Sequence, residues 1–169
     1  MLPADWDYDW TGGCLCGDCR YKFEGKPPYS GYCHCDMCKK ATGGPFAVFF
    51  QTDRAKLTWT GRAPSSYRSS PIATRGFCPT CGSPLYLQYD GDSIIRLTVG
   101  SFDRPERITP QGHYGAESRL QWADCGKGLP EEETQVLAPR HRNICPTNES
   151  GFDDRRSGMR GVHPRKMIC

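Results

Sequence analysis

Cysteine spacing is the chemical signal in this chain. Eight of its 11 cysteines fall in tight clusters: Cys14, Cys16 and Cys19; Cys33, Cys35 and Cys38; Cys78 and Cys81. An odd total leaves one thiol over from any closed disulfide framework. Two CxCxxC runs followed by CxxC instead gather many sulfurs without closing long loops, the pattern of thiolate-bound zinc in a reducing compartment. A pair one residue apart and a distant CxxC pair can close a tetrahedral site, which assigns Cys14, Cys16, Cys78 and Cys81 to a four-sulfur structural zinc. The competing readings of those four are disulfides or ordinary buried thiols.

Cys33, Cys35 and Cys38 are then left with no local fourth cysteine. Three protein ligands and an open position mark a catalytic rather than a structural zinc. Such a metal can polarise a substrate oxygen, activate water or hold an incoming thiol as thiolate. The fourth position stays open at this level, because His34, Cys19, Cys125 or a cysteine of the C-terminal stretch could fill it. In an extended knuckle His34 alternates away from its neighbours, which suits lining a cleft or bonding to a ligand side chain better than binding the same metal.

The elements that must hold these knuckles read mainly as antiparallel β. Residues 20–24 form a short strand, and residues 29–32 lead into Cys33 after the Pro27–Pro28 break. The apolar run 45–50 (PFAVFF) predicts a buried strand, 56–60 (KLTWT) an alternating one, and 67–74 a weak strand carried across Pro71. Residues 85–89 and 94–99 flank Asp90, Gly91 and Asp92 and predict a hairpin. Helix is confined to a turn at 36–41, inside the second knuckle, and a piece near 116–122. Trp6, Tyr8 and Trp10 alternate, which suits either an edge strand or an arm covering the core, and the arm is expected.

Composition bounds the rest. A hydrophobic share of 37% in 169 residues supports one core and not two, so the expectation is one domain over residues 1–130 and an extended or disordered tail over 131–169. His141, Cys145, His163 and Cys169 in that tail match no tight metal knuckle, and Phe152 is its lone large aromatic. No apolar run reaches the about 18 residues of a membrane span, and the start lacks a basic, then apolar, leader, so a cytoplasmic protein is expected. With 22 basic against 19 acidic residues the formal charge is only +3, little reason to bind nucleic acid or an anionic membrane. The basic stretch 155–166 has no interleaved aromatic platform. No serine has a base partner for hydrolase chemistry. Nothing in the residues sets an oligomeric state.

Three linked motifs carry a resemblance. Gly12-Gly13-Cys14-x-Cys16-Gly17-x-x-Arg20-Tyr21, then Cys33-His34-Cys35-x-x-Cys38-Lys39-Lys40-x-x-Gly43, then Phe77-Cys78-x-x-Cys81-Gly82-Ser83-x-Leu85 together resemble the glutathione-dependent formaldehyde-activating enzyme and centromere protein V superfamily. The resemblance runs from about Thr11 to Trp122. It implies a β-tent of small antiparallel sheets stapled by zinc, with a structural zinc on Cys14, Cys16, Cys78 and Cys81 and a second on Cys33, Cys35 and Cys38. The founding activity it implies is a carbon-sulfur lyase reaction that condenses formaldehyde with glutathione to S-hydroxymethylglutathione.

Mapped onto this chain, that reaction makes Cys33, Cys35 and Cys38 the catalytic set. Gly43, Gly44 and Pro45 become a cleft rim, Phe46 and Phe49 an apolar wall, and Lys39 or Lys40 a docking point for a glutathione carboxylate; a plain solvated face is the other reading of the lysines. Arg75 is a candidate for pairing structurally or binding an acidic group, His113 for moving a proton, and Trp122 for a core or lid position. Cys19 departs from the family pattern, which commonly has a small aliphatic there. It reads as an inert buried thiol, a redox-sensitive thiol or a replacement ligand. The alternative to an enzyme is a non-catalytic two-zinc scaffold or a protein- or chromatin-binding module, because one metal frame serves different functions.

Overall fold

The computed structural model describes residues 9–25, 29–124 and 127–133. The arm with Trp6 and Tyr8, the Pro27–Pro28 break, Cys125 and the stretch from 134 onward, with His141, Cys145, Phe152, His163 and Cys169, lie outside the described residues.

Two sheets carry the fold, which is mainly β with little helix. The smaller has the order β1-β2-β5, from β1 (Asp9–Gly13), β2 (Arg20–Glu24) and β5 (Thr58–Trp59). The larger takes β3 (Ser30–Cys33), β4 (Ala47–Asp53), β6 (Ser65–Ser70), β7 (Ala73–Phe77), β8 (Pro84–Tyr89), β9 (Ile94–Thr98), β10 (His113–Tyr114) and β11 (Glu131–Glu132). Its order is β11-β10-β3-β4-β9-β8-β7-β6. The pairings are antiparallel except at one edge, where β10 lies parallel to both β3 and β11. The expected small antiparallel sheets are thus joined into one eight-stranded mixed sheet, because the chain returns late to cover the open edge of β3. Glu131–Glu132 completes that edge beyond residue 130.

β4 explains the layering. Its AVFFQTD sequence buries residues on both faces, as a strand with layers above and below must. On one face Phe50 pairs in register with Leu97, and Leu97 with Tyr86. Trp10, Tyr21 and Phe23 of the small sheet pack there together with Phe102 and Ile108. Ring centroids of Trp10 and Phe50 lie 5.1 Å apart and those of Phe50 and Phe102 5.0 Å apart, in tilted arrangements that suit the ring quadrupoles. Gly76 sits opposite Tyr86, and a Cβ built on it would lie 1.9 Å from that ring, so the strand needs glycine there. On the other face Ala47, Phe49, Ala73 and Leu87 gather with Cys33 and Cys38. The one α-helix among the described residues, α1 (Asp36–Thr42), carries Cys38 into this cluster and ends at Gly43 with φ 70°, a left-handed turn glycine adopts without strain.

The predicted hairpin forms as β8 and β9. The predicted strand over 67–74 instead splits into β6 and β7 as a hairpin. Pro71 has no amide hydrogen to continue a ladder, and Arg68 fastens the turn by donating to the Pro71 carbonyl and pairing with Asp90 at 2.6 Å. Over 56–60 only Thr58–Trp59 is strand; the Asp53 carboxylate accepts from the Ala55 amide at 2.9 Å and starts a 3-10 turn through Lys56. Near 116–122 the helix is one 3-10 turn, Ala116–Ser118, and Trp122 is 74% exposed rather than in the core.

Phe50 is fully buried where the two sheets meet. Phe50→Ala is expected to lower unfolding free energy by about 3–5 kcal/mol, a large part of a domain's ordinary stability, as read by urea denaturation.

Candidate metal centres

The first centre is made by two tight turns brought edge to edge. After β1 the chain turns back on itself, with the Cys14 amide donating to the Cys19 carbonyl at 3.0 Å and the Gly17 amide to the Cys14 carbonyl at 3.1 Å. Between β7 and β8 the Cys78 amide donates to the Ser83 carbonyl at 3.0 Å, and the Gly82 amide to the Cys78 carbonyl at 2.8 Å. The sulfurs of Cys14, Cys16, Cys78 and Cys81 all lie within 4.8 Å of one another. Cys14 and Cys16 are separated by 3.5 Å and Cys16 and Cys78 by 3.8 Å. Tetrahedral zinc with 2.3 Å bonds to sulfur requires about 3.8 Å between ligands, whereas a disulfide requires about 2.05 Å. The donor set and its spacing therefore fit a divalent metal.

Hydrogen bonds tune this set for a cation. The Ser83 hydroxyl lies 3.2 Å from the Cys81 sulfur. Hydrogen bonds from Ser83 and from the Cys16 amide pull the Cys81 thiol down to about 5. Cys19 is fully buried beside Cys14, Cys78 and Leu85, and its amide donates to the Cys14 sulfur at 3.2 Å. Burial pushes its own thiol up to about 12, so Cys19 stays a neutral thiol that supports Cys14 through its backbone.

The second centre straddles the end of β3 and the start of α1. Cys33 closes the strand, Cys35 occupies the residue before the helix, and Cys38 lies in its first turn. Their three sulfurs lie within 4.8 Å of one another, with Cys33 and Cys35 3.5 Å apart. No fourth Cys, His, Asp or Glu joins the group among the described residues. Hydrogen bonds from the Cys33 and Cys38 thiols, a Cys38 amide bond and the charge of Arg75 draw Cys35 down to about 2, while Cys33 is driven up because it bonds to and crowds that thiolate. Within the trio the shifts run in opposite directions, down at Cys35 and up at Cys33 and Cys38, because each sulfur bonds to the others. Arg75, from an inward position of β7 and only 7% exposed, donates from Nη2 to the Cys38 sulfur at 3.2 Å.

The remaining sequence candidates separate. Phe49 packs with Cys33 and Cys38. His34 does not join the trio: its Nε2 lies 2.9 Å from Nδ1 of His113, and its ring packs against Tyr32 and Phe46. Both histidines are almost wholly buried, and burial, with Arg119 and His113 nearby, lowers His34 to about 4 and keeps it neutral. Lys39 donates to the Ser118 carbonyl at 2.7 Å and pairs with Asp36 at 2.9 Å. Gly43 and Gly44 follow α1 on the way to Phe46.

A cavity of about 350 Å³ is walled by Phe49, Tyr67, Phe77 and Tyr86 and reached by Arg75 and by Thr42 at the end of α1; none of the three cysteines lines it, and Phe49 and Arg75, which touch the cluster, connect the two. Tyr67, Phe77, Tyr86 and Thr42 were not legible as site residues. The signal that existed was Arg75, a charge in the inward phase of a strand.

A β-rich chain with one four-cysteine and one three-cysteine cluster carries two sets of sulfurs able to hold metal ions. This chain belongs to the glutathione-dependent formaldehyde-activating enzyme family, whose model matches residues 9–118. It is similar to an uncharacterized lyase of Schizosaccharomyces pombe, 32% identical over 102 residues that span 60% of this chain and 74% of that protein. A Rhodobacter sphaeroides protein of known crystal structure is similar at a TM-score of 0.48 and 16% identity, covering 72% of this chain and 99% of that one.

Cys81→Ser is expected to remove one metal equivalent by elemental analysis and to lower the unfolding temperature by roughly 10 °C or more, because structural zinc supplies folding energy. Cys19→Ala is expected to leave metal content unchanged and to cost about 1–2 kcal/mol in urea denaturation. In both cases the full chain is compared with wild type loaded under the same conditions.

Proposed function

We propose that the chain is a zinc-dependent enzyme of the carbon-sulfur lyase type that joins a thiol to an aldehyde, with glutathione and formaldehyde as the reacting pair. The observation that supports this most is the Cys33, Cys35 and Cys38 trio: three converging sulfurs with no fourth ligand among the described residues, connected through Phe49 and Arg75 to a cavity. Family membership and the lyase relative point the same way.

A bound zinc ion supplies Lewis acidity and stabilises a substrate thiol as thiolate. The chain does the rest. Cys33, Cys35 and Cys38 hold the metal, Arg75 offsets charge at Cys38, and Phe49 with the aromatic cavity walls keeps water from the reacting atoms. In the condensation the thiol S–H breaks and its proton leaves to solvent. The sulfur pair forms the new C–S bond, the carbonyl π pair moves to oxygen, and that oxygen takes a proton. Nothing is oxidised or reduced.

A scaffold is the second reading, and the burial of Cys33 and Cys38 favours it, leaving Cys35 as the most accessible sulfur of the trio. The two part on one experiment. S-hydroxymethylglutathione formation is followed by NMR above the spontaneous rate, with zinc content measured in parallel. The enzyme reading expects acceleration by wild type, and in Cys35→Ser a fall to background with one metal lost and the fold retained by circular dichroism. Two bound zincs with no acceleration sink it in favour of the scaffold.

A further inference from the structure

Arg75 is out of keeping with the rest of the molecule. A buried guanidinium ordinarily faces a carboxylate. The other described arginines that form ion pairs do so with aspartate or glutamate: Arg20 with Asp103, Arg62 with Asp18, Arg68 with Asp90, Arg96 with Asp92 and Arg119 with Glu131. Arg75 has no such partner, and only its Nη2 is committed, to the Cys38 sulfur. Around it stand the sulfurs of Cys38 and Cys35 and the Tyr67 phenol, none of them a carboxylate. It is also the sole charged side chain among the residues lining the 350 Å³ cavity.

Charge accounting gives this position a purpose. A divalent cation with three thiolates carries one net negative charge, and Arg75 brings the buried assembly to neutrality. A carboxylate entering the cavity adds negative charge to that neutral assembly, and the uncommitted donors of Arg75 belong to the one cationic group lining the cavity that can pair with it. Two of its donor nitrogens make no hydrogen bond to a described residue, and a carboxylate accepts from a guanidinium in a paired geometry that a hydroxyl cannot reproduce. The surrounding walls, Phe49, Tyr67, Phe77 and Tyr86, offer apolar contact and no acidic group to receive an ammonium.

We propose that Arg75 is both the counter-charge of the three-cysteine centre and the anchor for a carboxylate of the thiol substrate, so that the cavity selects thiols bearing an anionic group over neutral ones. This rests on the reading that the trio binds a thiol, but it is tested by binding without turnover.

The full chain is loaded with cobalt(II), whose sulfur charge-transfer band reports each thiol that binds, and is titrated with mercaptopropionate and with the neutral mercaptopropanol of equal length. Wild type is expected to prefer the acid by about tenfold or more, Arg75→Met to bring the ratio of affinities near one, and Arg75→Lys to fall between, since lysine keeps the charge but loses the fork. Tyr67→Glu, at a half-exposed cavity residue, places a competing carboxylate beside Arg75 and is expected to reduce the preference with the cobalt retained.

An undiminished preference in Arg75→Met, or none in wild type, overturns the inference. Should Arg75→Met fail to hold cobalt, that loss supports the counter-charge role, and an unchanged preference in Tyr67→Glu then overturns the anchor. A preference without formaldehyde condensation leaves this inference standing while sinking the enzyme reading. Condensation with no discrimination between the thiols does the reverse.

Discussion

Like charges held close together set the terms for this molecule. Seven sulfurs are gathered into two groups, each within 4.8 Å, and thiolates at that spacing repel unless a cation or a proton intervenes. The strands do not pull those sulfurs together by apolar burial alone, since Cys16 is exposed and Cys81 only half-buried. A divalent metal held there would offset that repulsion. The four sulfurs of the first centre bring the turn after β1 next to the turn between β7 and β8, and so the small sheet next to the large one.

The aromatic layer does the complementary work. Trp10, Phe23, Phe50 and Phe102 interlock between the sheets, and the Arg20 guanidinium grips Asp103, with Nη1 2.8 Å from Oδ1, where Thr11 also donates to that carboxylate. Half-exposed, this pair is screened by water and adds little by itself, but it fixes the register in which β1 and β2 meet the chain after β9. The aromatic layer thus concentrates the apolar burial of a small core between the two sheets.

The two centres differ in what surrounds them. Ser83 and turn amides serve the four-cysteine group, all short polar donors at a sheet edge. The three-cysteine group has a helix start on one side, the apolar face of β4 and β8 on another, and a buried arginine at Cys38. The four-cysteine group is thus surrounded by local polar donors, and the three-cysteine group by apolar side chains and one buried cation.

Sequence alone determined the local units. Cysteine spacing reflects how few residues a ligand-bearing turn can contain, so both knuckles and their partition could be read directly. Asp90-Gly91 between alternating runs announced the β8–β9 hairpin for the same local reason. What failed was set at a distance. Strand 67–74 looked continuous until the missing Pro71 amide hydrogen and the Arg68–Asp90 pair made it two strands, and of the core and lid readings of Trp122 exposure removes the core, because hydrophobicity does not say whether a partner surface will arrive. Only the tertiary structure decided that His34 would turn away to His113, and that Arg75, 37 residues from Cys38, would touch its sulfur. Such meetings depend on strand order and register across the sheet, which are global solutions of packing and leave no mark in the spacing of any one segment.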